Sequence, residues 1–265
     1  MFEKYLVVAS KKDLTGTNIT THLSQFQTQE SKFDFYLVED EIIFARNLDT
    51  ERINKYDFII FASRHKSTKE EKTLSIHPVG NFREAEFGGE KGKLGRSSAL
   101  FQKQLFESLN ANAKRFDLKN YDITLESTHH GPLIDKPCVF IEIGSTEREY
   151  KDRRAAFVIA KAISEAIEEF KENPYNEVAI GIGGPHYCPS FNKIQLKSNI
   201  AVSHIIPRYA FPITGEMVKE TIEKTHEEVD FALLDWKSLG NLESREEIIK
   251  VLEENYIQWK KTGDV

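Results

Sequence analysis

Apolar residues in this chain fall into short runs, separated by stretches whose apolar positions recur every three to four residues. Leu6-Val7-Val8-Ala9, Phe33 to Val38, Asp57 to Ser63, Thr73 to Pro78, Tyr121 to Thr128, Val139 to Gly144, Val178 to Ile182 and Ile200 to Ile206 read as strands. Ile42-Ile43-Phe44 is a weaker strand candidate. Runs such as Phe58 to Ala62 do not alternate with polar residues, so they predict strands buried on both faces of a largely parallel sheet. Between them lie helical patterns. Thr17 or Asn18 is placed to cap a helix reaching Phe26, and Ser97 or Ser98 a helix with Phe101, Leu105 and Leu109 on one face. Thr146-Glu147-Arg148-Glu149 matches a capping box and opens the strongest helix, whose stripe runs from Ala155 to Phe170 and which Asn173-Pro174 stops. Two more are expected at Thr214 to Glu228 and after a capping box at Ser244, with Ile248, Val251, Leu252, Tyr256 and Trp259 buried. The alternation predicts an α/β fold, a three-layer α/β/α arrangement around a central, largely parallel or mixed sheet.

No repeat or linker interrupts the pattern, so a single domain over 1–265 is expected, with an irregular excursion at 74–96 that includes the glycine-rich loop Phe87 to Gly95. Hydrophobic residues at 40% and charged residues at 29% describe an ordinary soluble chain and exclude a disordered one. No apolar run approaches the ~18 residues of a membrane span, and Met1-Phe2-Glu3-Lys4 has no signal-peptide profile. A cytoplasmic location and no membrane partner are therefore expected. Cys138 and Cys188 form no CxxC pair; Cys138 reads as a small core residue, while Cys188 is two positions from His186 and is a candidate ligand. A net charge of −6 argues against attraction to nucleic acid over the whole surface, and DNA is not an expected partner. A local basic patch stays open.

The unusual residues sit where strands end. His65, His77, His129, His130 and His186, five of the eight histidines, follow apolar runs. Open α/β sheets bind ligands beyond the carboxyl ends of their strands, so these ends are expected to meet at one polar cleft. Neighbours in a strand or turn point opposite ways, which predicts that at most one of His129 and His130 faces it. Gly183-Gly184-Pro185-His186 reads either as a turn whose amides hold a phosphate or oxyanion, or as a tight turn with a solvated histidine. It is neither a GxGxxG fingerprint nor a Walker loop, which excludes dinucleotide binding. Glu142 lies between Ile141 and Ile143, where a carboxylate needs a partner, and Glu126 is placed similarly one strand over.

Two acids and several histidines suit hydrolysis, with or without a metal. With zinc, three His/Glu ligands leave an open position, and the strand-end argument selects His129, His186 and Glu142. Without it, a histidine acts as general base and the Gly183 and Gly184 amides hold the oxyanion. Ser63 and Thr128 are weaker candidates as nucleophiles. Arg64, Lys91, Lys93 and Arg96 are candidate substrate-binding cations, able to clamp a polyanion if they border the cleft; Lys151, Arg153, Arg154, Lys193 and Lys197 read as solvated faces with the same alternative.

Five segments together resemble a known family. Ala62-Ser63-Arg64-His65, His77-Pro78-Val79-Gly80-Asn81, Glu126 to Pro132, Phe140 to Thr146 and Gly181 to Tyr187 are similar, in order, to motifs of the archaeal and plant D-aminoacyl-tRNA deacylases, the second deacylase type. The resemblance implies hydrolysis of the ester between a D-amino acid and the terminal ribose of tRNA, keeping D-residues out of translation. It also implies a zinc requirement, a monomer, and a fold similar to the peptidyl-tRNA hydrolases and nucleoside phosphorylases. It lowers the case for Cys188 as a ligand. His129, His130, His186 and Glu142, supported by His65 and His77, are the residues expected to carry the reaction. Two alternatives remain: a peptidyl-tRNA hydrolase-like or other metal-dependent amidase or esterase, and a noncatalytic tRNA- or zinc-binding module.

Overall fold

The computed structural model describes residues 2–45, 48, 50–67, 69–171 and 177–265. Six strands make the first sheet: β1 (Tyr5–Ser10), β2 (Phe33–Val38), β3 (Phe58–Lys66), β4 (Thr73–His77), β5 (Asp122–Leu125) and β6 (Cys138–Ser145). Helices α1 (Leu14–Leu23), α2 (Thr50–Ile53), α3 (Ala99–Arg115), α4 (Glu147–Tyr150) and α5 (Arg153–Glu169) connect and cover them. The rest of the chain runs β7 (Glu177–Ile182), α6 (Pro189–Lys197), β8 (Ile200–Ile206), α7 (Gly215–Glu223), β9 (Phe231–Leu234), α8 (Leu242–Glu254) and β10 (Trp259–Lys261).

The α/β class expected from the pattern is what forms, but with two sheets in place of one. The first has strand order β2-β1-β3-β6-β4-β5 and the second β10-β9-β7-β8. The second is parallel throughout. In the first, every pairing is parallel except β4 with β6.

Alternation along β6 gives the first sheet two different faces. Val139, Ile141 and Ile143 join Ile19, Leu105, Ile159 and Ile163 in one core, beneath α1, α3 and α5. Cys138 and Phe140 point the other way, into a smaller cluster with Leu6, Val8, Phe61, Ile42 and Ile53. Short pieces cover this second face: a single turn at Ile42–Phe44, the one-turn α2, and the irregular segment 78–96. Among the described residues no long helix packs on this face, which leaves room for a cleft.

Several local readings change. Ile42–Phe44 is a 3₁₀ turn, not a strand. Asp13, not Thr17 or Asn18, caps α1, accepting from the Thr15 amide at 2.9 Å. The Thr146 capping box opens only α4; α5 starts after Asp152, whose carboxylate accepts from the Arg154 and Ala155 amides. That helix ends at Glu169, and Asn173-Pro174 lies outside the described residues. Asn241, not Ser244, caps α8; Tyr256 is 93% exposed, and Trp259 belongs to β10. Of the 74–96 excursion, the residues through His77 form β4 within the sheet, and only the remainder is irregular. The pattern missed α6, β9 and β10, whose few residues are too short for a period to show.

Candidate active site

Register alone places the first part of the site. Glu142 on β6 pairs with Ser63 on β3 and with Ser75 on β4, so a carboxylate at the middle of the sheet is flanked by two small side chains. Two residues beyond each serine, on the same face, stand His65 and His77. Because β4 runs antiparallel to β6, these histidines lie toward opposite ends of Glu142: His65 pairs with Gly144 and His77 with Phe140. This part of the site rests on the face of the sheet rather than beyond its carboxyl edge, a correction to the strand-end expectation.

The second part is the segment after β5. The Glu126 amide donates to the Ile76 carbonyl at 2.9 Å, prolonging the sheet by one residue. The chain then crosses to the second sheet, where the Ser127 amide donates to the His186 carbonyl at 2.9 Å and the Thr128 amide to Ile205 at 3.1 Å. His186 arrives beyond the carboxyl end of β7, where the strand-end rule does hold.

All five histidines come together. Ring centroids are 4.1 Å apart for His77 and His129, 4.4 Å for His129 and His130, 4.6 Å for His129 and His186, and 5.8 Å for His65 and His186. Both members of the His129-His130 pair face the cleft, against the alternation argument. His130 has φ 44, in the left-handed region, and that twist returns its ring to the side of its neighbour.

The two glutamates sit among these rings. His65 Nδ1 is 3.3 Å from both Glu126 Oε1 and Glu142 Oε2, and His77 Nε2 is 3.6 Å from Glu142 Oε2. Glu126 Oε2 is 3.2 Å from His186 Nε2 and 3.5 Å from His129 Nε2. Burial works against the charged carboxylates, but the surrounding imidazoles prevail and hold both below the usual carboxylate range. Burial likewise opposes a charged His65, yet Glu142 and Glu126 raise it to about 9. His77 is raised for the same reason. Burial, reinforced by neighbouring imidazoles, pushes His129 well down and His130 down to about 4.

Hydrogen bonds fix three of the tautomers. Nδ1 of His77, His129 and His130 faces the carbonyl oxygens of Pro78, Ser127 and Gly131 at 3.0, 2.8 and 2.6 Å. A carbonyl can only accept, so each Nδ1 carries a proton and each Nε2 remains for a ligand. His77 Nε2, both oxygens of Glu126 and Oε2 of Glu142 are buried without a hydrogen-bond partner among the described residues. Ligand atoms within 4.8 Å of one another form three groups: His77-His129-His130, His65-Glu126-His186 and His77-Glu126-Glu142. The trio selected from sequence, His129, His186 and Glu142, is spread over these three groups, one residue in each.

Other expectations fare differently. The Gly183 amide donates to Ile206 O at 2.8 Å and the Gly184 amide to Ser238 Oγ at 2.6 Å, so neither is available to an oxyanion. The turn is tight, with φ 101 and 85 at these two residues and a Cβ on Gly183 placed 2.5 Å from Ser238 Oγ, but His186 is packed into the cleft against Glu126 and is not the solvated histidine of the tight-turn reading. Arg64 lines the cavity and pairs with Glu41 at 2.7 Å. Lys91, Lys93 and Arg96 are not among its lining; Lys91 pairs with Glu84, and Arg96 with Asp135 at 3.2 Å. Thr128 is buried, with Oγ1 3.1 Å from His204 Nδ1, and Cys188 is a buried thiol at the start of α6.

The cavity over these residues measures about 600 Å³ and reaches from Ser63, His65 and Glu142 to the Ile42–Phe44 turn and Phe87. Sequence reasoning noticed Glu126 but did not place it in the site, although it touches three of the histidines; an acid directly after an apolar strand was the available signal. Tyr187, whose hydroxyl is 3.1 Å from His65 Nε2, was missed altogether.

Comparison with known proteins adds to this geometry. The family model for D-aminoacyl-tRNA deacylase matches residues 52–260. A D-aminoacyl-tRNA deacylase of Methanocaldococcus jannaschii is 32% identical, over 97% of this chain and 99% of its own. One from Archaeoglobus fulgidus is 37% identical over 89% and 88%. The crystal structure of AF0625, described as a conserved protein of unknown function, is similar with TM-score 0.89 at 31% identity, covering 99% of this chain and 96% of that one. The matched region contains the five clustered histidines together with Glu126 and Glu142, and this chain belongs to the D-aminoacyl-tRNA deacylase family.

Proposed function

We propose that this chain hydrolyses the ester linking a D-amino acid to the terminal ribose of tRNA, releasing the free D-amino acid and a reusable tRNA. The observation that carries the reading is Glu126 and Glu142, buried side by side among five histidines beneath an open cavity, in a chain of this family. His186 is the general base. Its Nε2 faces Glu126 at 3.2 Å, which favours the proton there and leaves Nδ1 to take a proton from the attacking water. The ester carbonyl oxygen gains charge as water adds. His65 lines the cavity and is drawn toward the cation by the two carboxylates; with Nδ1 facing them and Nε2 facing the Tyr187 hydroxyl, it supports that charge through its field and not as a donor. Collapse breaks the bond to the ribose oxygen, which receives the proton from His186.

The residues present fit zinc. His129 and His130, held neutral with the proton on Nδ1, and the ionised carboxylates of Glu126 and Glu142 are donors that a borderline cation prefers; His77 joins them once it gives up the Nε2 proton that Glu142 favours. His77, His129 and His130 would hold it through Nε2, beside Glu126 and Glu142. When bound, zinc supplies Lewis acidity toward the ester. We read the working form as a cytoplasmic monomer; among the described residues no helix is long and apolar enough to cross a membrane.

The test is release of amino acid from D-tyrosyl-, L-tyrosyl- and N-blocked aminoacyl-tRNA, with and without chelator. Release from D-tyrosyl-tRNA alone supports the reading. Cleavage of the N-blocked substrate would favour a peptidyl-tRNA hydrolase, and no release from any would favour a binding module.

A further inference from the structure

The cavity carries a feature that the hydrolytic step does not use. Phe44 and Phe87 both line it, and their exposures are 48% and 59%. Large aromatic rings left in water at the wall of a catalytic cleft forgo burial, and such surfaces mark binding sites. The two belong to separate segments fastened together through main chain. A Cβ on Gly88 would lie 1.7 Å from the Ile43 carbonyl oxygen, so only glycine lets the segment after Phe87 pass beneath the Ile42–Phe44 turn. Asn81 Nδ2 donates to Gly88 O at 2.9 Å. The Gly131 amide donates to Phe87 O at 3.0 Å, which ties Phe87 directly to the turn bearing His129 and His130. Backbone packing therefore fixes where both residues leave the main chain relative to the histidine turn.

Resting on the deacylase reading, we propose that Phe44 and Phe87 form the subsite for the 3′-terminal adenine of tRNA and stack against the base. Two considerations favour the base over the amino-acid side chain. An adenine follows the ester in every tRNA, whereas the side chain changes in size and polarity; flat rings without a polar selector suit the invariant partner. The same cavity is lined by Lys66, an exposed cation that suits the phosphate joining the terminal nucleotide to its neighbour but has no counterpart on most amino acids; Arg64 beside it is engaged by Glu41.

The experiment compares three substrates on the metal-loaded protein: D-tyrosyl-tRNA, the D-alanyl ester of adenosine, and D-alanine methyl ester. The wild type is expected to prefer the adenosine ester over the methyl ester in kcat/KM. Phe44→Ala and Phe87→Ala are each expected to raise KM for the adenosine ester on the order of ten-fold. Hydrolysis of the methyl ester stays unchanged, and Phe87→Tyr restores the adenosine preference. Equal loss on both esters, or no loss on either, would overturn the subsite. So would a loss that grows with amino-acid side chain when D-tyrosyl and D-alanyl adenosine are compared, because the rings would then hold the side chain. A wild type inactive on D-tyrosyl-tRNA overturns the deacylase reading itself, and the subsite with it.

Discussion

His186 Nε2 stands 3.2 Å from Glu126 Oε2, and the pair joins opposite environments: the imidazole is 36% exposed while the carboxylate is wholly buried. A base reachable by water is thereby oriented by a charge that water cannot screen. Neither residue lies in the core of a strand, and each comes from a different sheet. The site is thus a junction between sheets.

Glu126→Gln keeps the shape of the side chain and removes the charge that orients His186 and supports His65. Turnover of D-tyrosyl-tRNA is expected to fall about a thousand-fold, within the range for losing acid–base catalysis. Circular dichroism should show an intact fold. Activity within ten-fold of wild type would sink the proposed role of this carboxylate.

Zinc content should follow the rings that keep Nε2 available. His77→Ala and His130→Ala are expected to leave the purified, dialysed protein with well under half the metal of wild type by elemental mass spectrometry. Lys93→Ala, outside the cavity lining, should be unaffected. Full metal in both histidine variants would move the zinc site elsewhere.

The glycine turn offers a test of structure against catalysis. Ser238→Ala removes the acceptor of the Gly184 amide and should cost about 1–2 kcal/mol in a denaturant melt, with kcat nearly unchanged. Gly183→Ala must adopt φ near 101 and displace Ser238 Oγ, so it should cost about 2–3 kcal/mol and lower kcat by shifting His186. A large drop in kcat for Ser238→Ala at full stability would restore an oxyanion role to this turn.

His204 supplies a pH dependence from outside the proposed ligand set, with Nδ1 3.1 Å from Oγ1 of Thr128, the residue before His129. It is fully buried, and burial pushes its imidazole down to about 4. An unfolded chain takes up this proton near pH 6.5, whereas the folded chain resists until near 4, so the unfolded state binds more protons in that window. Stability should therefore fall as pH drops from about 6.5 toward 4, with His204 accounting for roughly 3 kcal/mol across that window. Comparing His204→Phe with wild type by urea unfolding across that range tests it: the variant should show the shallower dependence, whatever its absolute stability.

The chain's own pattern determined the strands of the first sheet, the helix stripes and the histidines that follow apolar runs. These are local consequences of burial and of periods of two and 3.6 residues, and a short window of sequence contains them. The order Ser63-Arg64-His65 or Glu126-Ser127-Thr128-His129-His130 also carries family identity without any coordinates. Only the tertiary structure decided that β4 runs antiparallel beside β6. That pairing places His65 and His77 on either side of Glu142 instead of lining them up along one edge. It also decided that His130 turns through positive φ so that both histidines of the pair face inward, and that Gly184 gives its amide to Ser238, more than fifty residues away. Strand direction, a single backbone torsion and a distant acceptor leave no periodic trace in the sequence, because each is settled by contacts that form only once the two sheets meet.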